Sequence, residues 1–141
     1  MSPDLLERMR PYAEVIVAAP GQVVVWEGAP QDSLYLLISG QVSATKTVRG
    51  EMESLLAELG PGAMFGELGA ICPGPAAATV TAEERSVLWR FRKEGVAKIL
   101  ADNALLWSVL RALSAKVRGA NARLGDAVAW SLDATALDPS A

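Results

Sequence analysis

The chain has 141 residues, of which 51% are hydrophobic and 21% are charged, and its formal net charge is −3. This length and composition are typical of one folded globular domain. The chain has no histidine and one cysteine, Cys72, which argues against a histidine-based triad, a histidine-ligated metal enzyme and a disulfide framework. We therefore expect neither an enzyme nor a metal site, and we expect Cys72 to be a small buried hydrophobic residue.

The charge is distributed unevenly along the chain. Residues 1–84 carry 4 basic and 11 acidic side chains, whereas residues 85–141 carry 9 basic and 5 acidic ones. The basic residues are scattered rather than clustered, so we expect no nucleic-acid binding by this chain alone. No apolar run approaches the roughly 20 residues that span a bilayer, and no signal-peptide pattern is present. These features predict a cytoplasmic protein without membrane contact.

The first half of the chain has the pattern of a short helix followed by strands. Ser2 as N-cap and Pro3 at the first helical position mark the start of a helix, which we expect to end at Pro11. Short segments of alternating or β-branched residues then predict strands closed by glycine or proline turns. These predicted strands cover residues 13–18, 23–26, 34–39, 41–48 and 53–59. Such spacing favours an antiparallel sandwich or barrel.

Residues 65–80 combine a glycine, a helix-compatible run over residues 67–72 and a break at residues 73–75. A helix start presents unpaired N–H groups, and its dipole favours negative charge. Glu67 adds one carboxylate there, which accepts hydrogen bonds but repels a bare anion. A ligand that has both hydroxyls and an anionic group suits this arrangement. The alternative is that Glu67 only caps its own helix.

Beyond two further predicted strands, residues 77–82 and 86–91, the pattern becomes helical from Lys93 onward. Asp102 and Asn103 are expected to end one helix and to provide the N-cap of the next. This second helix carries an apolar stripe spaced alternately by four and three residues, the a/d pattern of a coiled coil over about three heptads. The stripe consists of Leu106, Leu110, Leu113, Val117, Ala120, Leu124 and Ala127. It can pack on the strands or form a dimer seam.

Together, these elements predict one domain over residues 1–133 and a frayed tail over residues 134–141. The predicted fold class is mainly β with flanking helices, in the form of an antiparallel β-roll or jelly roll (a double-stranded β-helix). The roll is expected to cover about residues 13–92. A short N-terminal helix, the helix over residues 67–72 and two C-terminal helices over about residues 93–131 complete the predicted domain.

Three stretches occur in an order that resembles the cyclic nucleotide-binding domain family: PGQVVVWEGAPQDSLYLLISGQV, LAELGPGAMFGELGAI and AATVTA. The resemblance covers roughly residues 5–120, and the glycines at 21, 28, 40, 62 and 66 follow the family order. The family includes sensor modules of catabolite-activator-type regulators, cyclic-nucleotide-gated channels and kinase regulatory subunits. The resemblance implies a non-catalytic, ligand-sensing regulatory domain whose candidate ligand is cAMP or cGMP, without a resident cofactor.

Carried over residue by residue, the resemblance implies a ligand site in residues 65–80, which we call the cassette. Glu67 matches the glutamate that accepts the ribose 2′-hydroxyl in the family. The family pattern Pro-Arg-(Ser/Thr/Ala)-Ala-(Thr/Ser)-Val is matched by Pro-Ala-Ala-Ala-Thr-Val, so Ala76 replaces the arginine that holds the cyclic phosphate. The ligand-binding residues that the resemblance implies are Phe65, Gly66, Glu67, Leu68, Gly69, Ala76, Ala77 and Thr79.

Replacement of the arginine implies weakened or altered nucleotide binding. Hydrogen bonds to charged groups contribute about 1.5–3 kcal/mol, so the loss corresponds to roughly 10–100-fold in affinity. Arg85, Arg90 or Arg92 compensates only if its strand directs it inward. Thr79 can equally be a half-buried strand residue without a ligand contact.

The alternative function is that of a degenerate cyclic nucleotide-binding fold that serves as a dimerisation or partner-docking module without nucleotide. In the family, the long C-terminal helix covers the pocket and forms the dimer seam. The resemblance therefore implies a homodimer through Leu106, Leu110, Leu113, Val117, Ala120 and Leu124. Trp107 and Trp130 flank this stripe and are expected to pack in a core or interface, with Trp130 as an alternative lid residue.

Overall fold

The structure, a computed structural model, describes residues 2–48, 50 and 52–124, with only the backbone described at residues 48, 52, 68 and 120–124. These residues form ten β-strands and four α-helices. The strands are β1 (Glu14–Ala18), β2 (Val23–Val25), β3 (Pro30–Gln31), β4 (Leu34–Ser39), β5 (Val42–Val48), β6 (Met52–Leu59), β7 (Met64–Phe65), β8 (Gly74–Pro75), β9 (Thr79–Ala82) and β10 (Ser86–Phe91). The helices are α1 (Pro3–Met9), α2 (Glu67–Ile71), α3 (Lys93–Leu100) and α4 (Asn103–Leu124), and a 3₁₀ turn spans Arg10–Tyr12.

The strands form two four-stranded antiparallel sheets and one small two-stranded sheet. Sheet A has the order β1-β10-β4-β7, sheet B has the order β2-β9-β5-β6, and β3 pairs with β8. In sheet A, one row of paired residues runs from Glu14 through Arg90 and Tyr35 to Phe65. The prediction of a mainly β, antiparallel roll with flanking helices is confirmed by this topology.

The core of the roll lies between the facing sides of sheets A and B. Its buried members are Ala18, Val25, Tyr35, Leu37, Val42, Phe65, Ala76, Val80, Ala82 and Leu88. Because successive side chains of a strand point to opposite faces, Leu34 and Leu36 lie on the other side of β4, where they are also buried. Helix α3 packs against β10 on this side of the fold. Burial on both faces explains the continuous apolar sequence of β4.

The ends of the helices follow the sequence signals in two places and depart from them in one. The Ser2 hydroxyl accepts a hydrogen bond from the amide of Leu5, and α1 begins at Pro3, as predicted. Asp102 caps α4, because its Oδ1 accepts hydrogen bonds from the amides of Ala104 and Leu105, at 3.0 and 3.2 Å. Helix α1 ends at Met9 rather than directly before Pro11, and a separate 3₁₀ turn over Arg10–Tyr12 follows it.

The chain divides into two compact units, residues 1–106 and residues 107–141. The first unit contains the sheets, α1 to α3 and the first residues of α4, and the described part of the second unit is the remainder of α4. The single domain over residues 1–133 stays a prediction, and the tail predicted at residues 134–141 lies outside the described residues. Among the described residues, no helix combines the length and apolar character needed to cross a membrane.

Candidate functional site

The cassette begins where β7 ends. Phe65 is buried, and its ring stacks on Tyr35 with ring centroids 5.0 Å apart. Gly66 follows with a φ of +81°, a left-handed backbone conformation that residues other than glycine rarely adopt. Its carbonyl then accepts the first helical hydrogen bond of α2 from the amide of Ala70, at 3.1 Å. The glycine therefore turns the chain out of the strand and directly into the helix that carries Glu67.

Helix α2 packs closely on the segment that contains β3. A Cβ atom at Gly66 would lie 2.5 Å from the carbonyl oxygen of Ser33 and 2.6 Å from Nε2 of Gln31. A Cβ atom at Gly69 would lie 2.4 Å from Cγ of Gln31. Because real Cβ contacts are not this short, both glycines are required by the close approach of the two segments. The Gln31 side chain fills the space under both glycines and donates a hydrogen bond from Nε2 to the carbonyl of Ser33, at 3.1 Å.

The end of the cassette is fixed by backbone pairing. After α2, strand β8 pairs with β3, and the amide of Ala76 then donates to the carbonyl of Ala29, at 2.8 Å. The amide of Gly28 donates in turn to the carbonyl of Ala76, at 2.9 Å. The Ala76 side chain is 9% exposed and belongs to the core of the roll. A side chain at position 76 is thus directed into the roll, whereas Ala77 is exposed.

Thr79 is held by a backbone group of the neighbouring loop. Its Oγ1 accepts a hydrogen bond from the amide of Glu27, at 2.9 Å. The Glu27 carboxylate accepts from the amide of Thr47 at 2.8 Å, so that one glutamate connects β9 with β5. These bonds support the structural alternative for Thr79, because its hydroxyl is already used where β9 begins.

Glu67 lies in the first turn of α2, and its Oε2 atom is buried. The positive end of a helix dipole favours a carboxylate at this position, although α2 is only five residues long. A carboxylate oxygen accepts hydrogen bonds but cannot donate one, so it is suited to bind a ligand hydroxyl. The backbone of Leu68 lies in the same turn, and its side chain is outside the described residues.

Arg90 belongs to β10, and Arg85 and Arg92 directly precede and follow this strand. Arg90 donates from Nε to the Ser33 hydroxyl at 3.1 Å, and its guanidinium lies 3.7 Å from the Glu14 carboxylate. Arg92 lies 3.6 Å from the same carboxylate. Arg85 is exposed in the turn before β10. Among the described residues, none of these three arginines therefore forms a hydrogen bond with Ala76.

Burial and nearby charges affect one titratable group beside the cassette. Burial raises the pKa of Tyr35 above its ordinary value of 10.0, whereas the Arg90 guanidinium acts to lower it and the Asp32 carboxylate acts to raise it. Tyr35 therefore stays a neutral phenol at neutral pH. Its role at this end of the roll is to pack against Phe65 and to support the start of the cassette.

Most of the residues predicted for the ligand site come together at one end of the roll. Phe65, Gly66, Glu67 and Gly69 lie at the entry of the cassette, and Ala76 lies at its exit beside β3. The contacts of Gln31 and Ser33 with the cassette were not predicted, because a short polar segment after a proline has the pattern of an ordinary turn. The expectation that Cys72 is buried is wrong: this residue directly follows the short α2 and is exposed.

The apolar stripe on α4 is only partly covered in the described structure. Leu110 and Val117 are 42% and 60% exposed, and Leu106 and Leu113 are half-buried. Trp107, beside the stripe, is also exposed. The side chains of Ala120 and Leu124 lie outside the described residues, as do Ala127 and Trp130. Within the described part, the stripe offers apolar surface that one copy of the chain does not bury.

The model of the cyclic nucleotide-binding domain family matches residues 15–103, which is more than half of the chain. The chain belongs to the cyclic nucleotide-binding domain family. The matched part of this domain runs from β1 to the beginning of α4 and includes the whole cassette. The resemblance carried by the glycines and by the cassette motif is thus confirmed.

The domain is similar to bacterial regulators and to kinase subunits. It is 35% identical over 111 residues to the CRP-like cAMP-activated global transcriptional regulator of Mycobacterium tuberculosis, covering 77% of this chain and 49% of that protein. It is 34% identical over 91 residues to the cAMP-dependent protein kinase regulatory subunit of Blastocladiella emersonii, covering 64% of this chain and 22% of the subunit. The chain thus spans half or less of the length of these relatives.

Solved structures of regulators share the fold of this domain. The catabolite activator protein of Thermus thermophilus superposes with a TM-score of 0.76 at 26% identity, over 88% of this chain and 59% of that chain. The N-terminal domain of a transcriptional regulator from Streptomyces coelicolor superposes with a TM-score of 0.68 at 27% identity, over 89% of this chain and 88% of that chain.

Proposed function

We propose that this domain is a non-catalytic sensor that binds a cyclic nucleotide, or a related ligand with hydroxyls and an anionic group, in the cassette. The observation that carries the proposal is the entry of the cassette, where Gly66 adopts its left-handed conformation against Ser33 and places Glu67 in the first helical turn. Gly66 and Gly69 allow α2 to pack closely on Gln31 and Ser33, and Glu67 places a partly buried carboxylate in the first turn of this helix. They are the features expected of a site that receives a ligand at a helix start.

Two relatives support the nature of the proposed ligand. A global transcriptional regulator is named as cAMP-activated, and a kinase regulatory subunit is named as cAMP-dependent. On this basis we take cAMP as the first candidate and cGMP as the second. We propose that the domain acts in the cytoplasm as part of a regulator, because these relatives regulate transcription or a kinase. A cAMP-binding acyltransferase of Mycobacterium smegmatis has a similar region, so an enzyme is a further class of protein that such a domain can control.

We further propose that binding is weak. The resemblance implies an arginine at position 76, where this chain has an alanine that faces the core of the roll. Arg90 lies on the adjacent sheet, but Glu14 and Ser33 engage its guanidinium. A charge-assisted contact contributes about 1.5–3 kcal/mol, so we expect affinity lower by roughly 10–100-fold than in a domain that has the arginine.

Sensing requires that the ligand bind two arrangements of the domain with different affinity. We propose that α3 and α4 report occupancy of the cassette, because they directly follow β10 in the chain. In this proposal, the apolar stripe from Leu106 to Leu124 forms the seam of a homodimer, as the resemblance implies. The exposure of Leu110 and Val117 supports a seam, since apolar side chains at heptad spacing are otherwise left in water.

The second candidate function is a dimerisation or docking module that binds no nucleotide. Two observations favour it: an alanine is buried at position 76, and the stripe on α4 is exposed. Under this alternative, the cassette is retained only as part of the fold, and a cyclic nucleotide produces no change in the domain. The two candidates therefore differ in one measurable property, the binding of cAMP or cGMP.

Isothermal titration calorimetry with cAMP and cGMP separates the two candidates. We expect the unmodified domain to bind one of them, Ala76→Arg to tighten binding by roughly 10–100-fold, and Glu67→Ala to weaken it. Glu83→Ala is the matched control, because Glu83 is an exposed carboxylate in the turn between β9 and β10. No binding by the unmodified domain, together with tight binding by Ala76→Arg, would refute the sensor and favour the docking module.

A further inference from the structure

The inner face of sheet B is apolar up to the end that adjoins the cassette. In β5, Val42 and Ala44 point into the roll, where they pack in or against the core. On the neighbouring strand β9, Ala82 is paired with Val42 and Val80 is paired with Ala44, and both are core residues. The outer face carries serine, threonine and glutamate side chains together with the exposed Leu55.

Lys46 interrupts this apolar face. Alternation along β5 places its side chain on the same side as Val42 and Ala44, two residues beyond the latter. The last registered pair between β5 and β9 is Thr45 with Thr79. Lys46 follows Thr45 in β5, and Ala78 precedes Thr79, the first residue of β9. The lysine therefore lies beside the exit of the cassette. Lys46 is exposed, and the residue paired with it on β6 is Ser54, so the apolar part of this face ends at Ala44 and an accessible cation follows it.

Lys46 is exposed and forms no ion pair within the described part of the chain. The ion pairs among the described residues join Arg8 to Asp102 and join Arg90 and Arg92 to Glu14, and none involves Lys46. Between residues 11 and 84, the sequence contains two basic residues, Lys46 and Arg49, and Arg49 lies outside the described residues. Among the described residues from 11 to 84, Lys46 is therefore the one cation.

We propose that Lys46 holds the anionic group of the ligand, which for a cyclic nucleotide is the cyclic phosphate, in place of a side chain from position 76. This inference rests on the proposed function. Directly opposite residues on paired strands lie about 5 Å apart and diagonal ones about 7–8 Å apart, which long side chains can span. Lys46, one residue beyond the Thr45–Thr79 pair, is thus placed within reach of the space in front of Ala76.

The chemistry of lysine determines what kind of binding results. An ammonium acts as a point charge on a flexible stem, whereas a guanidinium holds a phosphate through two parallel hydrogen bonds. Lys46 therefore supplies attraction for the negative charge without the bidentate geometry of an arginine. We expect it to contribute similarly to the binding of cAMP and cGMP, because the two ligands share the cyclic phosphate, and we expect its contribution to weaken as salt is added.

The test is calorimetric titration of cAMP and cGMP into the unmodified domain, Lys46→Gln, Arg90→Gln and Lys98→Gln, at low and at moderate salt. Lys98 is exposed on α3, so Lys98→Gln makes the same change of charge away from the cassette. Circular dichroism and thermal melting establish that each variant is folded. We expect Lys46→Gln to weaken binding by roughly 10-fold or more and to reduce its salt dependence, while Lys98→Gln changes affinity by less than about 2-fold.

Three outcomes would overturn the proposal, and they differ in what they say about the domain. If the unmodified domain binds but Lys46→Gln binds equally well, the role of the lysine is refuted and the sensor function stands. If Arg90→Gln loses binding and Lys46→Gln does not, the anionic group is held by Arg90. If the unmodified domain binds neither nucleotide, the proposed function fails together with the role of Lys46.

Discussion

Replacement of Gly66 by alanine tests whether the cassette is held in place by its contact with β3 and β4. The new methyl group would lie 2.5 Å from the carbonyl oxygen of Ser33, 2.6 Å from Nε2 of Gln31 and 3.2 Å from the ring of Tyr35. The closest of these atoms belongs to the backbone, which cannot rotate away as the end of a flexible side chain can. Accommodating the methyl group therefore requires the start of α2 to move away from β4.

The expected loss in the free energy of unfolding has two parts. An alanine in the left-handed region costs about 1–2 kcal/mol, and overpacking at a tight contact typically costs a further 1–3 kcal/mol or so. Gly62→Ala is the matched control, because Gly62 has a φ of +91° but no atom within 4 Å of an added Cβ. We therefore expect Gly66→Ala to lower the free energy of unfolding by about 2–5 kcal/mol and Gly62→Ala by about 1–2 kcal/mol.

Urea denaturation followed by circular dichroism measures both variants. We expect the midpoint to fall further for Gly66→Ala at an unchanged m-value, and the melting temperature to fall by about 3 °C for each kcal/mol. If the two variants lose the same stability, the contact between the cassette and Ser33 contributes nothing beyond backbone strain. That result would refute the argument that close packing fixes the position of Glu67.

Two further predictions concern the helices that follow the roll. Partial burial acts to raise the pKa of Asp102, but the Leu105 amide and the Arg8 guanidinium outweigh it and hold the pKa below its ordinary value of 3.8. The stabilisation is fully present above the unfolded pKa and is lost as pH falls through the lowered folded pKa. The difference in melting temperature between the unmodified domain and Asp102→Asn should therefore be constant above about pH 5 and should shrink progressively below about pH 4. A difference that does not change with pH would contradict this. In a two-fold dimer each substitution acts twice, so Val117→Glu should weaken self-association by roughly 100-fold or more in sedimentation experiments. Ala115→Glu, on the opposite side of α4, is its control, and an equal effect of both substitutions would argue against the stripe as the seam.

Local patterns in the sequence were sufficient to predict the long strands and helices of this domain. Glycine and proline turns separate the strands, and β4 and β10 were predicted at their observed bounds because their apolar runs are continuous or alternate clearly. The caps at Ser2 and Asp102 were also predicted correctly, since a cap depends on a side chain and an amide only two or three residues away. The order of the glycines, together with the motif around Gly66 and the Ala-Thr-Val that follows it, indicated the family that the family model confirms.

The tertiary structure decided what depends on residues that are distant in sequence. Strands β3 and β8 are two residues long and contain proline, so each reads as a turn until the fold pairs them. The position of Gln31 under the glycines of α2 follows from that pairing, and no periodicity encodes it. The engagement of Arg90 by Glu14 likewise needed the register of β1 on β10.

The sequence by itself thus determined the family, the order of the main elements and the replacement of an expected arginine by Ala76. Only the tertiary structure showed that Ala76 faces the core, that Cys72 is exposed and that Lys46 lies on the inner face of sheet B. The physical reason is that composition and spacing record which groups a chain possesses. Which face of a sheet a side chain occupies, and which charges remain uncompensated there, depends on strands that meet only after the chain has folded.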